Sequence, residues 1–450
     1  MRIMKKYIAS ILSVFALISC EAPVEGLNNN PNQFTDAPIS LLLNHALLNV
    51  ASIAEAEPAR FGAIFSDQLT GVDRQYGTLN LYSVTGADYD EVWDDLYGRG
   101  ISQTQIAKQK AQDGGNTLVE GQALILEGYY FAEAAMVFND VPYAEVNSLD
   151  FADPAYEEQE TVIRAAIGLI EQGIAKASSA SAANNVFETA SSWAQVGNAL
   201  KARYLLSLGE YQNAHDAAVA ANFSSNDNDW SIKHTTANYG ENLFWQFEVE
   251  QRQDYLKVEN SYMSRLLKDG EDVYRGNAKT DETARYNFYV APNGLSMNTT
   301  DGFASQTRNY PVVSFEEVQM IIAETAARLN LATNSLAAIN KVRASNAVKF
   351  SSQYDAYEVS DFEVGGMVNH GESTPFNAMI KEALLEKYCS VIGVPSFLDV
   401  NRTNNLINVP IKNANVTTIP QRFIYSSAEQ ASNSNFPGLV DQYVKTDINN

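Results

Sequence analysis

Helical periodicity recurs along most of this 450-residue chain and constrains its fold more than any other feature. In the clearest segment, residues 117–138, apolar side chains return every three or four positions and so share one helix face. The same period predicts helices at these further segments: 43–50, 159–176, 193–207, 318–342 and 378–392. Because no amphipathic helix pair can bury its apolar face alone, the sequence predicts that these helices stack on one another.

The run 208–214 carries a more specific repeat signal. Its small–turn–aromatic–small spacing is typical of a tetratricopeptide helix pair. Gly209 allows a tight turn, Tyr211 fills the gap between the two helices, and Ala214 permits their close approach. We therefore predict a mainly α fold, with a tetratricopeptide-like helical-repeat scaffold.

Between residues 222 and 312 the helical period fades, and Asn, Asp, Gly and aromatic residues become dense. Apolar side chains alternate at 243–249, which predicts a short strand, and 262–267 predicts one embedded helix. Long loops on a rigid scaffold commonly carry binding sites. We therefore expect a large, irregular, loop-rich ligand-binding region that contains short strands.

These patterns divide the chain into segments of one domain. They are the N-terminal scaffold at 39–221 with a binding loop at 71–86, the irregular region at 222–312, and C-terminal helices with a closing segment at 313–450.

The N-terminus indicates export and lipidation. A positively charged start precedes an apolar stretch at 8–18, which is too short to span a bilayer. It ends in Leu-Ile-Ser-Cys, the pattern of a bacterial lipoprotein cleavage site. We expect that residues 1–19 are removed, that Cys20 is lipidated, and that 20–38 form a tether to the membrane. The alternative is an ordinary secretory signal with an incidental cysteine.

Charge and cysteine content exclude several classes of protein. Asp and Glu outnumber Lys and Arg by 54 to 31, giving a formal charge of -23. Such an acidic chain lacks the basic surface that nucleic acid requires, and it disfavours a polyanionic ligand. After lipidation only Cys389 remains, so no disulfide framework is possible.

Motifs for catalysis, cofactors or metals are not evident. The sequence has no nucleophile elbow, phosphate-binding glycine loop or zinc-protease motif, and its four histidines are scattered. Acidic turns at Asp227/Asp229 and 269–272 could hold calcium but lack the full loop spacing, which favours solvated turns. We expect no enzymatic activity, cofactor or metal.

Motifs in a fixed order give the chain its family resemblance. They are Leu27-Asn28-x-Asn30-Pro31-Asn32, Phe138-Asn139-Asp140-Val141-Pro142-Tyr143, Ala202-Arg203-Tyr204-Leu205-Leu206, Phe315 to Glu324, Glu386-Lys387-Tyr388, Phe397-Leu398-Asp399-Val400-x-Arg402, and Pro420-x-Arg422-x-x-Tyr425 with Glu429 and Asn433. The chain resembles the SusD/RagB-like nutrient-binding outer-membrane lipoproteins of Bacteroidetes, in their starch-binding branch. Two positions depart from the pattern: Asn139 replaces a glycine, and Ser426 replaces a proline.

The resemblance implies four tetratricopeptide-like pairs, a looped ligand-binding half, and docking as a lid on a SusC-like TonB-dependent transporter. We expect a lipid-anchored, cell-surface protein of the outer membrane that captures an oligo- or polysaccharide without cleaving it. A neutral glycan is favoured by the acidic composition, and a β-glucan is a guess within that set. A peptide-capturing relative, a surface glycoside hydrolase and a protein-binding adaptor are the alternatives.

Sugar binding calls for exposed aromatic rings beside planar polar groups. Three groups of residues in predicted loops combine both, and we predict that they contact the ligand. They are Asp73, Arg74, Gln75, Tyr76, Asn80 and Tyr82; Trp230, Arg252, Asp254 and Tyr255; and Tyr274, Arg275, Arg308, Asn309 and Tyr310.

Overall fold

The computed structural model describes residues 37–148 and 150–450, and within them it is mainly helical. The α-helices are α1 (Ile39–Ala54), α2 (Glu57–Phe65), α3 (Arg74–Asn80), α4 (Asp90–Asp94), α5 (Ser102–Asp113), α6 (Thr117–Phe138), α7 (Gln159–Ala177), α8 (Trp193–Ser207), α9 (Tyr211–Ala221), α10 (Leu243–Trp245), α11 (Tyr262–Leu267), α12 (Thr283–Tyr289), α13 (Phe315–Arg328), α14 (Ala332–Phe350), α15 (Val359–Phe362), α16 (Pro375–Ser390), α17 (Val394–Arg402) and α18 (Ser427–Ser432). The predicted fold class is confirmed.

Short antiparallel strands tie the loops to the scaffold. They are β1 (Thr70–Gly71), β2 (Val141–Pro142), β3 (Tyr156–Glu157), β4 (Phe187–Glu188), β5 (Trp230–Ile232), β6 (Leu256–Lys257) and β7 (Tyr310–Val313). β1 pairs with β6, β2 pairs with β3, and β5 lies between β4 and β7. Strands this short add few hydrogen bonds, so their role is to fix where the loops begin and end.

Helices α5 to α9 stack in chain order, and α13 continues the stack against α9. α6 is buried along nearly its whole length because α5 and α7 cover it. Glycines let α6 and α7 approach closely: a Cβ at Gly173 would lie 2.6 Å from the carbonyl oxygen of Gly121. This is the helical-repeat scaffold that the periodicity predicts.

The turn between α8 and α9 has the predicted tetratricopeptide geometry. Gly209 has a φ of +72°, a left-handed conformation that favours glycine. Ala214 is fully buried, and Tyr211 packs against the core from the start of α9. The side chain of Ser192 caps α8 by accepting from the backbone N–H of Gln195 at 3.3 Å. These features confirm the interpretation of the 208–214 run.

The predicted strand at 243–249 is wrong. The side chain of Asn242 accepts from the backbone N–H groups of Phe244 and Trp245, both at 3.1 Å, and so caps a helical turn. α10 continues as a π-helix through Gln251. Phe244 and Phe247 are buried at helical spacing, whereas Val249 is exposed. The apolar residues at 243, 245, 247 and 249 alternate as in a strand, but Phe244 and Phe247 also have helical spacing. So short a run fits both templates, and the polar cap decided between the two structures.

The predicted loop at 71–86 contains the short helix α3, whose N-cap is Asp73. Upstream of it, Ile39–Phe65 is long and apolar enough to span a membrane by length and composition alone. That stretch is divided into α1 and α2, and much of each helix is buried in the protein core. We therefore interpret both as core helices.

Residues Leu42–Asn450 form one compact unit. Aromatic rings from distant segments meet in its core: Phe65 lies 5.8 Å from Phe397 and 6.1 Å from Phe423, between ring centres. The N-terminal and C-terminal helices therefore close a single core. The tether up to residue 36, with Cys20, lies outside the described residues.

Candidate functional site

A cleft of about 560 Å³ lies where the irregular region meets the scaffold. Its walls come from α1, α6, α8, α12, α14, β5, β7, the start of α13 and α17, and the segments around 226, 303–309 and 390–392. This volume falls within the range of small-molecule sites, roughly 300–1,000 Å³. The cleft joins a rigid helical wall to loops that can carry specificity.

One wall of the cleft is aromatic. Phe288 on α12 is half-buried, so part of its ring faces the cleft. Its ring centre lies 5.0 Å from that of the buried Tyr289. Tyr310 is held by a hydrogen bond from its hydroxyl to the carbonyl oxygen of Ile392, at 2.9 Å. A fixed, partly exposed ring beside polar groups is what stacking against a sugar requires.

The rim beside Phe288 is polar and anchored. Arg308 Nε donates to the carbonyl oxygen of Gly302 at 2.7 Å, which holds its guanidinium 4.9 Å from the Phe288 ring centre. Asn309 donates to Glu188 Oε2 at 2.6 Å, and its Oδ1 accepts from the backbone N–H of His234 at 3.1 Å. These bonds fix the orientation of the rim side chains before any ligand arrives.

A second loop adjoins this rim. Asn242 donates from its backbone N–H to the carbonyl oxygen of Gln306 at 2.9 Å and from its side chain to that of Arg308 at 3.1 Å. Near the tip of the same loop, Tyr239 is 89% exposed with a φ of +64°. An exposed ring in a left-handed backbone is unusual and often functional.

A buried ion pair forms the floor. Arg203 on α8 donates to Glu317 through Nε at 2.8 Å and through Nη2 at 2.7 Å, and it lies 3.4 Å from Glu133. Burial raises the pKa of Glu133 despite the charge of Arg203. Burial also opposes ionisation of Glu317, but Arg203 and Lys387 outweigh it and lower the pKa of that carboxyl. The floor is thus a neutralised structural pair.

A second carboxyl pair lies in the wall near α14. Asp229 accepts from the backbone N–H of Phe315 at 2.6 Å, and Glu316 accepts from Asn226 at 2.8 Å and from Lys349 at 3.2 Å. Burial and the neighbouring charge of Glu316 raise the pKa of Asp229 to about 8. Lys349 and Asn226 lower the pKa of Glu316 against the effect of burial. At neutral pH this pair therefore carries about one negative charge, next to a lysine.

Of the third predicted group, three members lie together in the cleft: Arg308, Asn309 and Tyr310. Arg275 does not, because its buried guanidinium forms ion pairs with Glu382 and Glu386. Tyr274 is half-buried, and its hydroxyl accepts from the backbone N–H of Glu282 at 3.5 Å.

The rings of the first two groups require a correction, because all four are buried: Tyr76, Tyr82, Trp230 and Tyr255. Tyr76 packs on Phe247 at 4.9 Å, and its hydroxyl accepts from Arg60 Nε at 2.9 Å. Trp230 stacks on Phe187 at 4.2 Å. These four rings are packed into the protein core, so they offer no face to a ligand.

The polar members of these groups lie on a second surface, which the pairing of β1 with β6 brings together. Arg74 and Arg252 are exposed, with guanidinium carbons 6.0 Å and 5.9 Å from the Tyr255 ring centre. Asp254 pairs with Lys257, and the Oδ1 of Asn80 accepts from Lys412 at 2.9 Å. Ligand contact by these residues, and by Asp73, Gln75 and Tyr274, stays a prediction.

Sequence reasoning missed Phe288 and Tyr239. Phe288 lies in a short helix with no period of its own, and Tyr239 lies between Asn238 and Gly240 in a turn-rich stretch. A scan for aromatics flanked by turn residues could have found Tyr239. In residues 37–148 and 150–450, no group of three or more His, Cys, Asp or Glu side chains is arranged to hold a metal.

Comparison with protein families gives one model that covers most of the chain. It is the SusD-like family described as starch-binding and associating with the outer membrane, matched over residues 31–425. A search among curated proteins finds no match.

Solved structures with the same fold are distant in sequence. A SusD/RagB family protein from Bacteroides thetaiotaomicron superposes with a TM-score of 0.65 at 17% identity, covering 89% of this chain and 95% of the other. A SusD homolog from Bacteroides uniformis gives 0.65 at 15%, covering 91% and 99%. A chitin-binding SusD homolog from Flavobacterium johnsoniae gives 0.63 at 13%, covering 91% and 97%.

Proposed function

Because the chain belongs to the SusD-like family of outer-membrane-associating proteins, we propose that it captures an oligo- or polysaccharide in the cleft without cleaving it. The observation that carries the proposal is the half-buried ring of Phe288 in a cleft of about 560 Å³, with Arg308 and Asn309 beside it.

The chemistry of a sugar ring matches this arrangement. Its C–H face is apolar and packs on an aromatic ring, while its rim of hydroxyls needs donors and acceptors in the same plane. Phe288 supplies the ring, and Arg308 and Asn309 supply planar polar groups on the rim. The exposed ring of Tyr239 lies on a loop that is hydrogen-bonded to the same rim through Asn242.

Two descriptions support a glycan as the ligand. The family is described as starch-binding, and a relative of the same fold is named as chitin-binding. Glycans of either kind are long chains. The cleft is partly open and is bordered by the exposed loop of Tyr239, so a long chain can extend beyond it.

The carboxylates of the cleft support binding rather than hydrolysis. A glycosidase needs one carboxylic acid and one carboxylate, both free to face the scissile bond. Glu317 is occupied by Arg203, and Glu133 accepts from the Tyr204 hydroxyl at 2.9 Å as well as pairing with Arg203. Asp229 is held by the backbone of α13.

The N-terminal signal completes the proposal. We propose that Cys20 anchors the protein on the cell-surface side of the outer membrane and that a SusC-like TonB-dependent transporter receives the captured glycan. Metabolic labelling with a palmitate analogue tests the anchor, since Cys20→Ala should abolish the label.

Retardation in native gels that contain a panel of polysaccharides tests capture. We expect at least one glycan to slow the protein lacking residues 1–19, with no release of reducing sugar on incubation. Phe288→Ala should lower the affinity about tenfold or more and so remove the retardation. The reason is that a stacked ring contributes roughly 1 kcal/mol in addition to the effect of the area it buries. Tyr286→Ala is the matched control, because that half-buried ring lies on the same helix but outside the cleft wall.

Equal losses in the two variants would contradict a role for the cleft. If no polysaccharide of the panel changed the mobility and immobilised peptides retained the protein, the ligand would be a peptide and not a glycan.

A further inference from the structure

We infer that the cleft is built for a glycan that carries carboxylate groups, because two cations, Arg308 and Lys349, lie within 6 Å of the ring centre of Phe288, the half-buried ring of the cleft wall. This inference rests on the proposed function. It replaces the expectation of a neutral glycan, which was based on the overall charge of the chain.

Arg308 is an arginine without a carboxylate partner among the described residues. Its hydrogen bonds go to backbone carbonyl oxygens, from Nε to Gly302 at 2.7 Å and from Nη2 to Asp301 at 3.1 Å. In the described chain, Nη1 donates to no protein group. Acids outnumber bases by 54 to 31, so a partner would be easy to supply. The side chain is therefore held in place while its charge remains available.

Two buried arginines of the protein are bound differently. Arg203, which forms the floor of the same cleft, forms a bidentate pair with Glu317, and Arg402 forms one with Glu324 at 2.8 Å and 2.6 Å. Those guanidiniums stabilise the fold. Arg308 lines the space that a ligand would enter, and its Nη1 has no protein acceptor among the described residues, so it can donate to a carboxylate there.

Lys349 adds a second cation at the same ring. Its Nζ lies 5.9 Å from the Phe288 ring centre and 3.2 Å from Glu316 Oε1. Asn226 also donates to that oxygen, so Glu316 keeps a hydrogen bond when Lys349 turns to a ligand. Asp229, the other carboxyl here, is held largely protonated near pH 7 by burial and by the charge of Glu316, with a pKa of about 8.

The floor beneath these cations adds no net charge. A chain of buried ion pairs runs away from the cleft with four cations and four carboxylates: Glu133, Arg203, Glu317, Lys387, Asp399, Arg402, Glu324 and Arg328. The cation nearest the Phe288 ring centre is Arg308, at 4.9 Å, and the negative charge of Asp301 acts on it. At physiological salt, charges beyond about 8 Å are largely screened, so the net charge of -23 does not override that of Arg308.

The geometry fits a uronic acid. Its carboxylate is attached to the edge of the sugar ring, so a ring stacked on Phe288 places that group a few ångströms from the aromatic centre. Arg308 already lies at 4.9 Å from the same centre. A hydrogen bond to a charged group contributes about 1.5–3 kcal/mol, which corresponds to roughly a tenfold to hundredfold difference in affinity.

Paired polysaccharides test the inference. Pectate, alginate and hyaluronan are each compared with their carboxyl-reduced forms, which keep the chain and lose the charge, alongside neutral glucans and chitin oligomers. We expect at least one acidic polymer to bind tenfold or more tighter than its reduced form. Arg308→Gln should abolish that difference, whereas Arg164→Gln should not, because Arg164 is an exposed arginine on α7 outside the cleft wall.

Lys349→Gln provides a second variant that leaves the bonds of Arg308 in place, and it should reduce the preference for the acidic form. Binding of neutral polymers as tight as that of every acidic one would overturn the inference and leave glycan capture standing. Equal behaviour of Arg308→Gln and Arg164→Gln would also overturn it. Failure to bind any polysaccharide would instead contradict the proposed function itself.

Discussion

At the scale of single residues, Asp229 shows how the cleft wall controls charge. Burial and the charge of Glu316 raise the pKa of Asp229 to about 8, against about 3.8 in an unfolded chain. The folded state therefore holds a proton that the unfolded state releases. This contribution to stability is present below about pH 3.8 and is lost as the pH rises through about 8.

Asp229→Asn keeps a side-chain oxygen that can accept from the backbone N–H of Phe315, and it removes the carboxyl group that titrates. We expect the urea midpoint of the wild type to fall between pH 5 and pH 9, and that of Asp229→Asn to fall less, so that the variant is the more stable at pH 9. Asp227→Asn, an exposed neighbour, is the control. A wild-type midpoint that rises over this interval, with no difference between the variants, would contradict the account.

The burial of individual aromatic rings could not be predicted from the sequence. Tyr76 and Phe288 both lie near polar residues outside the long helices, yet Tyr76 is 3% exposed and Phe288 is half-buried. The difference is tertiary: Phe247 and Tyr255, far along the chain, cover Tyr76. Arg308, predicted to contact the ligand together with Tyr310, lies in the cleft wall, and ligand contact by both stays a prediction.

At the scale of elements, the contact between α6 and α7 depends on glycine. A Cβ at Gly173 would lie 2.6 Å from both the carbonyl oxygen of Gly121 and the Cγ1 of Ile125. Gly168 on the same helix faces open space, with nothing within 4 Å. The two positions differ only in what surrounds them.

Gly173→Ala should therefore destabilise the protein by about 1–3 kcal/mol, because the helices must move apart. Gly168→Ala should stabilise it by about 0.5–1 kcal/mol, because alanine loses less backbone freedom in a helix. Urea unfolding of both variants measures the contrast. Similar changes in the two would show that α6 and α7 are not in close contact.

The helices of the scaffold could be predicted because their apolar period is long enough to exclude a strand. The segments 117–138 and 193–207 match α6 and α8 at both ends. Over 243–249 the apolar pattern covers only seven residues, and the side-chain cap from Asn242 decided the structure. Short elements depend on such local hydrogen bonds, which a hydrophobic pattern does not contain.

At the scale of the whole molecule, the stacked helices form a scaffold that supplies one side of the cleft. The irregular region supplies the other side. The stacking and the family could be predicted from the sequence, because each rests on motifs spread along the chain. The cleft could not, since Tyr129, Phe288 and Lys349 meet there from three distant helices. Only the tertiary structure brings them together.

A crystal structure with a bound oligosaccharide, chosen from the polymer that retards the protein, tests the central claim most directly. We expect a sugar ring against Phe288 with its polar groups within hydrogen-bond distance of Arg308 and Asn309. A sugar ordered instead at Arg74 and Arg252, with the cleft empty, would contradict the account and move the binding site to the second surface.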